Sequence, residues 1–286
     1  MVGEFARERR ERLVLATKYT LTTRRGDPNS GGNHRKSMVR SVEQSLERLQ
    51  TDYINLLYMH IWDGTTPVEE IMRALDDLVR AGKILYAGMS DTPAWQVARM
   101  QTLADVRAYT PLIALQIEYS LAQRTVERDL IPMARELGLG VIPWSPLASG
   151  VLTGKYSLED LEVQREGQGA HGTRRDIAAG NGSLTEKSLE IAQVNKQLAA
   201  ELSVTPSQLA IHWTLLNPAV TAPIVGARTL AQLEDNLKAL EIEVPAAARA
   251  RLDEVSRVEL GFPHDFVKLP QTQAVMRAGT IIEPRV

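Results

Sequence analysis

The chain has 286 residues, 44% apolar and 24% charged, and its 33 Lys and Arg against 35 Asp and Glu leave a net charge of −2 with no global basic field, which argues against nucleic acid and anionic membrane as partners. The absence of cysteine excludes a disulfide scaffold, a thiol nucleophile and a Cys zinc site, and no apolar run approaches the roughly 18 residues of a membrane span. The charged opening MVGEFARERRERL lacks an apolar h-region, so the cytoplasm is the expected location.

Short apolar runs alternate with longer amphipathic ones. Leu13–Tyr19 reads as a buried strand, followed by a helix over 37–50 with Met38, Val42, Leu46 and Leu49 on one face. Tyr53–His60 is the next strand. Thr66-Pro67-Val68-Glu69 has the form of a capped helix start, with Val68, Ile71, Met72, Leu75, Leu78 and Val79 inward and Gly82 as the stop. Ile84–Asp91 is a strand, Thr92-Pro93 opens a helix to Arg107, Leu112–Ser120 is a strand, 124–137 a helix stopped by Gly138, and Leu139–Pro146 a strand. Residues 150–185 are rich in glycine and charge and read as a long loop. Helices follow at 185–202 and 206–216, then a strand at Val220–Val225, helices at 229–240 and 246–257, and an irregular tail over 261–286.

Six continuously apolar strands alternating with helices imply a parallel sheet covered by helices, in one α/β domain over 1–286. The count suits an open doubly wound sheet or a (β/α)8 barrel missing two units. No G-x-G-x-x-G follows a strand, which counts against a Rossmann half. Polar residues recur at the carboxyl ends of the strands: Lys18, His60, Ser90 and Asp91, Gln116 and Glu118, and Ser145 after Trp144. In a parallel barrel those ends share one rim, where active sites of this architecture lie. Taken singly, Lys18 reads either as a snorkelling lysine or as a cation that lowers a neighbour's pKa. His60 alone reads as structural more readily than catalytic, and His34, His171, His212 and His264 carry no assigned chemistry. No His and carboxylate spacing suggests a metal site. Gly226-Ala227-Arg228, between the last strand and a helix, reads as a plain turn or as a phosphate site with Arg228 as its cation.

Together these stretches resemble the aldo-keto reductases, NADP(H)-dependent (β/α)8 barrels. The carriers are LATKY at 15–19, the run from SVEQSLERL through DYINLLYMH to WD at 63, TPVEEIMRALDDLVRAGKILYAGMSD at 66–91, LQIEYSL at 115–121, PWSPLASGVLTGKY at 143–156 and PIVGARTLAQLEDNL at 223–237. The resemblance implies direct hydride transfer between NADP(H) and an aldehyde or ketone. It makes Lys18 and His60 the active-site lysine and histidine. Ser90 and Gln116 match residues that hydrogen-bond the nicotinamide carboxamide, and Asp91 stands where many members have Asn. Trp144 matches the aromatic stacked on the nicotinamide. Ser145, Leu147 and Lys155 match the pyrophosphate loop, and Gly226, Arg228, Gln232, Asp235 and Asn236 the adenosine and 2′-phosphate end.

One departure matters. The family's aspartate and tyrosine lie in a stretch resembling D-T-A-x-x-Y-G, and these 286 residues contain none. The strand at 13–19 matches the family's third, so the resemblance implies about 60 residues missing at the front and an unclosed sheet of about six of eight strands, open to self-association. Tyr19 should face away from Lys18, and Tyr58 should lie two residues below the rim. Three expectations follow: a reductase whose Asp and Tyr lie outside this stretch, an inactive NADP(H)-binding or partner-binding paralogue, or a degenerate product that does not fold alone. Arg165, Arg174 and Arg175 are candidates to clamp the pyrophosphate, and Trp62 and Phe262 suggest an apolar or aromatic aldehyde.

Overall fold

Five parallel strands lie side by side in chain order in the computed structural model, which describes residues 1–165, 173–278 and 280. They are β1 (Ala16–Tyr19), β2 (Ile54–Met59), β3 (Ile84–Ser90), β4 (Leu112–Glu118) and β5 (Gly140–Trp144). The helices, in chain order, are α1 (Val2–Ala6), α2 (Arg35–Leu49), α3 (Val68–Arg80), α4 (Ala94–Arg107), α5 (Leu130–Glu136), α6 (Leu158–Arg165), α7 (Arg174–Gly180), α8 (Glu186–Glu201), α9 (Pro206–Leu215), α10 (Leu230–Leu237), α11 (Ala246–Val255), α12 (His264–Lys268) and α13 (Pro270–Arg277).

Two compact units result. The first holds 1–118, 130–146 and 214–226 and contains the whole sheet. Parallel pairing demands a crossover between successive strands, and α2, α3, α4 and α5 lie in the four crossovers. Neighbouring helices pack from α2 through α5. Side chains alternate along each strand. One set, Tyr19, Leu57, Met59, Ala87, Met89, Leu115, Ile117 and Val141, is buried to within a few per cent. Fully burying one such large side chain contributes roughly 1.5–3 kcal/mol. The helices answer with their own apolar positions, Met38 and Val42 on α2, Val68, Ile71, Met72, Leu75 and Leu78 on α3, and Val97 and Met100 on α4.

The opposite set forms rows across the strands. Lys18, Tyr58, Gly88, Ala114 and Gly140 are register partners in turn. Gly88 is required here: a Cβ would meet the Tyr58 ring at 2.6 Å and the Ala114 carbonyl oxygen at 2.9 Å. Two residues on, Ser90 pairs with Gln116 and Gln116 with Ile142, and two further on Glu118 pairs with Trp144.

Several sequence expectations are corrected. The sixth strand, Val220–Val225, reduces to one bridge, Val141 with Val220. Backbone bonds continue beside β5, from Val141 N–H to Ala219 O, Thr221 N–H to Val141 O and Ile224 N–H to Pro143 O. Pro223 has no N–H to extend the ladder, so no sixth strand forms there; the sheet has five strands and is not closed. The helix expected over 124–137 splits into a 3₁₀ turn, Thr125–Glu127, and α5, because Pro132 is tolerated only in a first turn. Thr66 and Thr92 do not cap their helices. The Thr66 hydroxyl donates to Asp63 Oδ2 at 2.7 Å and the Thr92 hydroxyl to the Ser90 carbonyl at 2.8 Å, leaving α3 and α4 with proline N-caps.

The second unit comprises the described residues among 119–129, 147–213 and 227–286. The stretch read as a loop, 150–185, contains α6 and α7. A reciprocal capping box between Thr173 and Asp176 starts α7, a signal the sequence carries. The tail is likewise helical, with Gly261 N–H on Asp265 Oδ2 at 2.7 Å before α12 and Pro270 at the start of α13. Arg124 ties this unit internally, bonding Glu127, Asp253 and Ser256 while lying over the Trp213 ring at 4.9 Å. Among the described residues no helix is long and apolar enough to cross a membrane, and no cluster of three His, Cys, Asp or Glu is placed to hold a metal.

Candidate functional site

The polar rows of the first unit converge at the carboxyl ends of the strands. Lys18 is the penultimate residue of β1, and His60 follows β2 with its backbone N–H on Tyr19 O. Ser90 ends β3, Asp91 follows it, Gln116 and Glu118 lie in the last three residues of β4, and Trp144 ends β5. Ser145 begins the next loop at φ 55°.

Their electrostatics are coupled. Burial lowers the Lys18 pKa, and the Asp91 carboxylate raises it part of the way back. Burial and then the Lys18 cation lower His60, against a smaller upward pull from Asp91. Both effects favour the neutral imidazole of His60. Burial and the Asp91 charge both raise Glu118. Asp91 Oδ1 accepts a hydrogen bond from the Trp144 indole at 3.0 Å. Asp91 holds φ 39°, a left-handed conformation in which Asp and Asn are the commonest side-chain-bearing residues.

Ser90 is fully buried, yet its hydroxyl has no partner among the described residues. An unmet buried hydroxyl costs about 1–3 kcal/mol. Beside its register partner Gln116, it fits the carboxamide of a nicotinamide, which offers both donor and acceptor.

The two nearby tyrosines do not present a hydroxyl at the rim. Tyr58 is 2% exposed. Burial pushes its pKa up to about 12, and a hydrogen bond to Gln116 pulls only weakly the other way. Tyr19 donates to the Asn33 carbonyl at 3.4 Å, and burial raises its pKa well above the usual value.

A polar clip unseen in the sequence frames Lys18 and His60. Asp63 Oδ2 accepts from Asn33 N–H at 2.8 Å, and Asp63 N–H donates to Asn33 Oδ1 at 2.6 Å. Thr65 and Thr66 N–H both donate to Asp63 Oδ1 at 2.9 Å. Burial pushes the Asp63 carboxyl up, but these bonds outweigh it and hold it well below the ordinary carboxylate range. The loops after β1 and β2 are thereby joined. Only the Asp63-Gly64-Thr65-Thr66 turn chemistry hints at this, and the 30-residue separation hides the partner. On the same rim Trp62 packs edge-on against Trp95 with centroids 5.6 Å apart, its indole N–H buried without a partner among the described residues.

The remaining expected residues lie in the second unit, apart from Gly226. Leu147 precedes a 3₁₀ segment in which Ala148, Ser149 and Gly150 all have positive φ, at 47°, 55° and 94°. Such backbone strain persists only where the surroundings enforce it and is concentrated at ligand sites. Lys155 is exposed, its ammonium 4.9 Å from the Tyr156 ring centre. Arg228 is exposed with no ion pair among the described residues, and its backbone N–H donates to Gln232 Oε1 at 2.9 Å. Asp235 is engaged by Thr205 Oγ1 at 3.0 Å and Gln208 Nε2 at 2.7 Å, and Asn236 is buried. Arg175 pairs with Asp160 at 3.2 Å. Phe262 is exposed and leans on Phe266. His34 caps α2 by accepting from Ser37 N–H, and His212 Nδ1 lies 2.9 Å from the Ala239 carbonyl. His171 and the side chains of Arg165 and Arg174 lie outside the described residues.

Comparison with known proteins agrees in kind. Residues 1–257 match the model of the Aldo/keto reductase family. Norsolorinic acid reductase of Aspergillus flavus is 36% identical over 280 residues, 96% of this chain and 68% of the relative. An uncharacterized oxidoreductase of Bacillus subtilis is 39% identical over 253 residues, 87% of this chain and 73% of its own length. A probable aryl-alcohol dehydrogenase of Saccharomyces cerevisiae is 33% identical over 275 residues, 93% and 82% respectively.

Proposed function

The chain belongs to the aldo/keto reductase family and is an oxidoreductase, and from that premise we propose that it interconverts aromatic aldehydes or ketones and their alcohols with NADP(H). The observation that carries the reading is the partnerless buried Ser90 hydroxyl beside Gln116, at a rim that also holds Lys18, His60 and Trp144. Ser90 and Gln116 would hold the carboxamide, and Trp144 would cover one face of the nicotinamide ring. The exposed Arg228 guanidinium suits a 2′-phosphate, for which a fixed planar cation is the better receptor. When bound, the cofactor supplies or accepts the hydride.

The chain's own groups handle the oxygen. Lys18 places positive charge where negative charge develops on a reduced carbonyl, in a partly buried site where that charge is felt strongly. Neutral His60 offers a hydrogen bond that orients the oxygen without adding a second cation. The Trp62 and Trp95 pair offers an aromatic wall with an uncommitted indole N–H, in keeping with relatives named for norsolorinic acid and aryl alcohols.

A second reading, binding NADP(H) without turnover, is favoured by one observation: neither Tyr19 nor Tyr58 offers a hydroxyl at the rim beside Lys18. The two readings part in one experiment. NADPH absorbance is followed with 4-nitrobenzaldehyde as the acceptor, beside a binding titration of the same protein. Aldehyde-dependent loss of NADPH supports the reductase. Saturable binding with no loss across aldehydes and ketones supports the second reading, and no binding overturns both.

A further inference from the structure

We infer that the Lys18 amine forms a reversible covalent imine with aromatic aldehydes at the strand-end rim, a reaction that needs no cofactor. The inference goes beyond the reductase reading and shares with it only the arrival of an aldehyde at this rim. Every group involved belongs to the first unit.

The placement of Lys18 leaves its amine uncommitted. Lys18 is half-buried near the end of β1 and makes no hydrogen bond or ion pair among the described residues. It shares a face with its register partner Tyr58. The Tyr58 ring leans away from it, over Gly88 of β3, where a Cβ would meet the ring at 2.6 Å. On its other side β1 is the edge of the sheet, with no described strand beside it. The other lysines differ. Lys83 pairs with Glu43 and Lys187 with Glu190, Lys36 donates to Asn29 Oδ1 at 3.0 Å, and Lys155 lies against the Tyr156 ring. Lys196, Lys238 and Lys268 are exposed. Of the eight lysines, Lys18 alone is both sheltered and unpaired among the described residues. Shelter from water without a compensating carboxylate contact favours the neutral amine, the nucleophilic form, and burial lowers the Lys18 pKa accordingly.

A proton carrier stands on the same face. The bond from His60 N–H to Tyr19 O, at 3.2 Å, extends the parallel ladder one step past β2. His60 therefore falls in line with Tyr58 and lies one step diagonally from Lys18, roughly 8 Å between backbones by strand spacing. Lysine and imidazole can close on one carbonyl group across that span. The Lys18 ammonium gives a proton to the His60 imidazole. The amine lone pair forms the C–N bond as the carbonyl π pair moves onto oxygen, and one N–H proton follows to give a carbinolamine. The His60 imidazolium returns its proton to the hydroxyl as the C–O bond breaks. Water leaves, the nitrogen lone pair closes the C=N bond, and a protonated imine remains with the total charge unchanged. An aromatic aldehyde is favoured because the new C=N stays conjugated with its ring. Trp62, in the loop after His60 and packed against Trp95, offers that ring an aromatic neighbour.

The test uses the full chain without NADP(H), benzaldehyde as the probe, and sodium cyanoborohydride to reduce the protonated imine to a stable benzylamine. Peptide masses then locate each benzyl group and follow its appearance with time. Lys18 should be labelled severalfold faster than Lys196, Lys238 and Lys268, and Lys18→Arg should remove the fast label. Labelling of those exposed lysines at a rate equal to or above that of Lys18 overturns the inference. The comparison is made among lysines of one wild-type molecule, so it holds even if Lys18→Arg does not fold. Unfolding in urea should erase the preference. A preference that survives unfolding overturns the role of the rim, since its cause would then be local sequence. His60→Gln should slow the Lys18 label severalfold and leave the three exposed lysines unchanged, and an unchanged Lys18 rate overturns the proton transfer by His60. Failure of wild-type protein to bind NADPH sinks the reductase reading and leaves the labelling result standing. Aldehyde-dependent NADPH loss with no preferred label at Lys18 overturns the imine alone.

Discussion

The strand ends of the first unit and the Arg228–Asn236 segment of the second treat their polar residues in opposite ways. At the strand ends Ser90 has no partner, Asp91 has no ion pair among the described residues, and Lys18 and His60 are half-buried with shifted pKa values. Along Arg228–Asn236 the polar groups are already in use: Gln232 caps the backbone at Arg228, Asp235 holds Thr205 and Gln208, and Asn236 is buried. The Arg228 guanidinium makes no ion pair among the described residues. Unmet polar groups cost stability and persist where a ligand or a reaction uses them. The contrast therefore divides the expected site residues into groups free to act on a ligand and groups that shape the scaffold.

The comparison breaks first at Lys18. Lys18→Met should cut any carbonyl reduction by about 10²–10⁴-fold, the usual worth of a group acting on a proton or developing charge. It should also raise the His60 titration midpoint, because the lysine cation is what helps hold it down. A midpoint that falls or stays put would break the coupling. Arg228→Ala is the matching test of the other region. It should weaken NADPH by roughly 10–100-fold, as expected for one lost charge-assisted contact of about 1.5–3 kcal/mol, and leave NADH unchanged. Equal losses for both cofactors would show that Arg228 does not read the 2′-phosphate.

Two smaller effects sharpen the scaffold side. Asp63→Asn should destabilise the protein by about 1–2 kcal/mol at neutral pH in denaturant unfolding, allowing for solvent screening of a partly exposed carboxylate. Its folded pKa is depressed, so its contribution is fully present above the unfolded value of about 3.9 and fades as acid protonates the folded carboxylate. The gap between wild type and variant should therefore narrow below about pH 4. Thr229 caps α10 by accepting from Gln232 N–H. Thr229→Ala should cost about 1 kcal/mol and barely change cofactor affinity.

Much of the rim was legible in the sequence. Parallel strands of period two put Lys18, His60, Ser90, Gln116 and Trp144 at the same end, and the apolar runs that precede them are easy to read. Partnerships between distant loops were not legible. The Asp63–Asn33 clip joins residues 30 apart, and it takes the Thr66 hydroxyl away from the capping role its local sequence suggests. The Val220–Val225 run had the composition of a strand, but Pro223 interrupts the ladder that would make it one. The 150–185 stretch hid two helices because glycine and charge mask the period, although the Thr173–Asp176 box was there to be found.

The central claim is that the rim carrying Ser90, Gln116 and Trp144 receives the nicotinamide of NADP(H). A fluorescence titration of NADPH, excited through tryptophan and compared between wild type and Trp144→Phe, tests it most directly. The account predicts saturable binding in both proteins, with energy transfer to NADPH strongly reduced when Trp144 is replaced. Saturable binding with transfer unchanged in Trp144→Phe would contradict it, since the nicotinamide would then lie away from this rim.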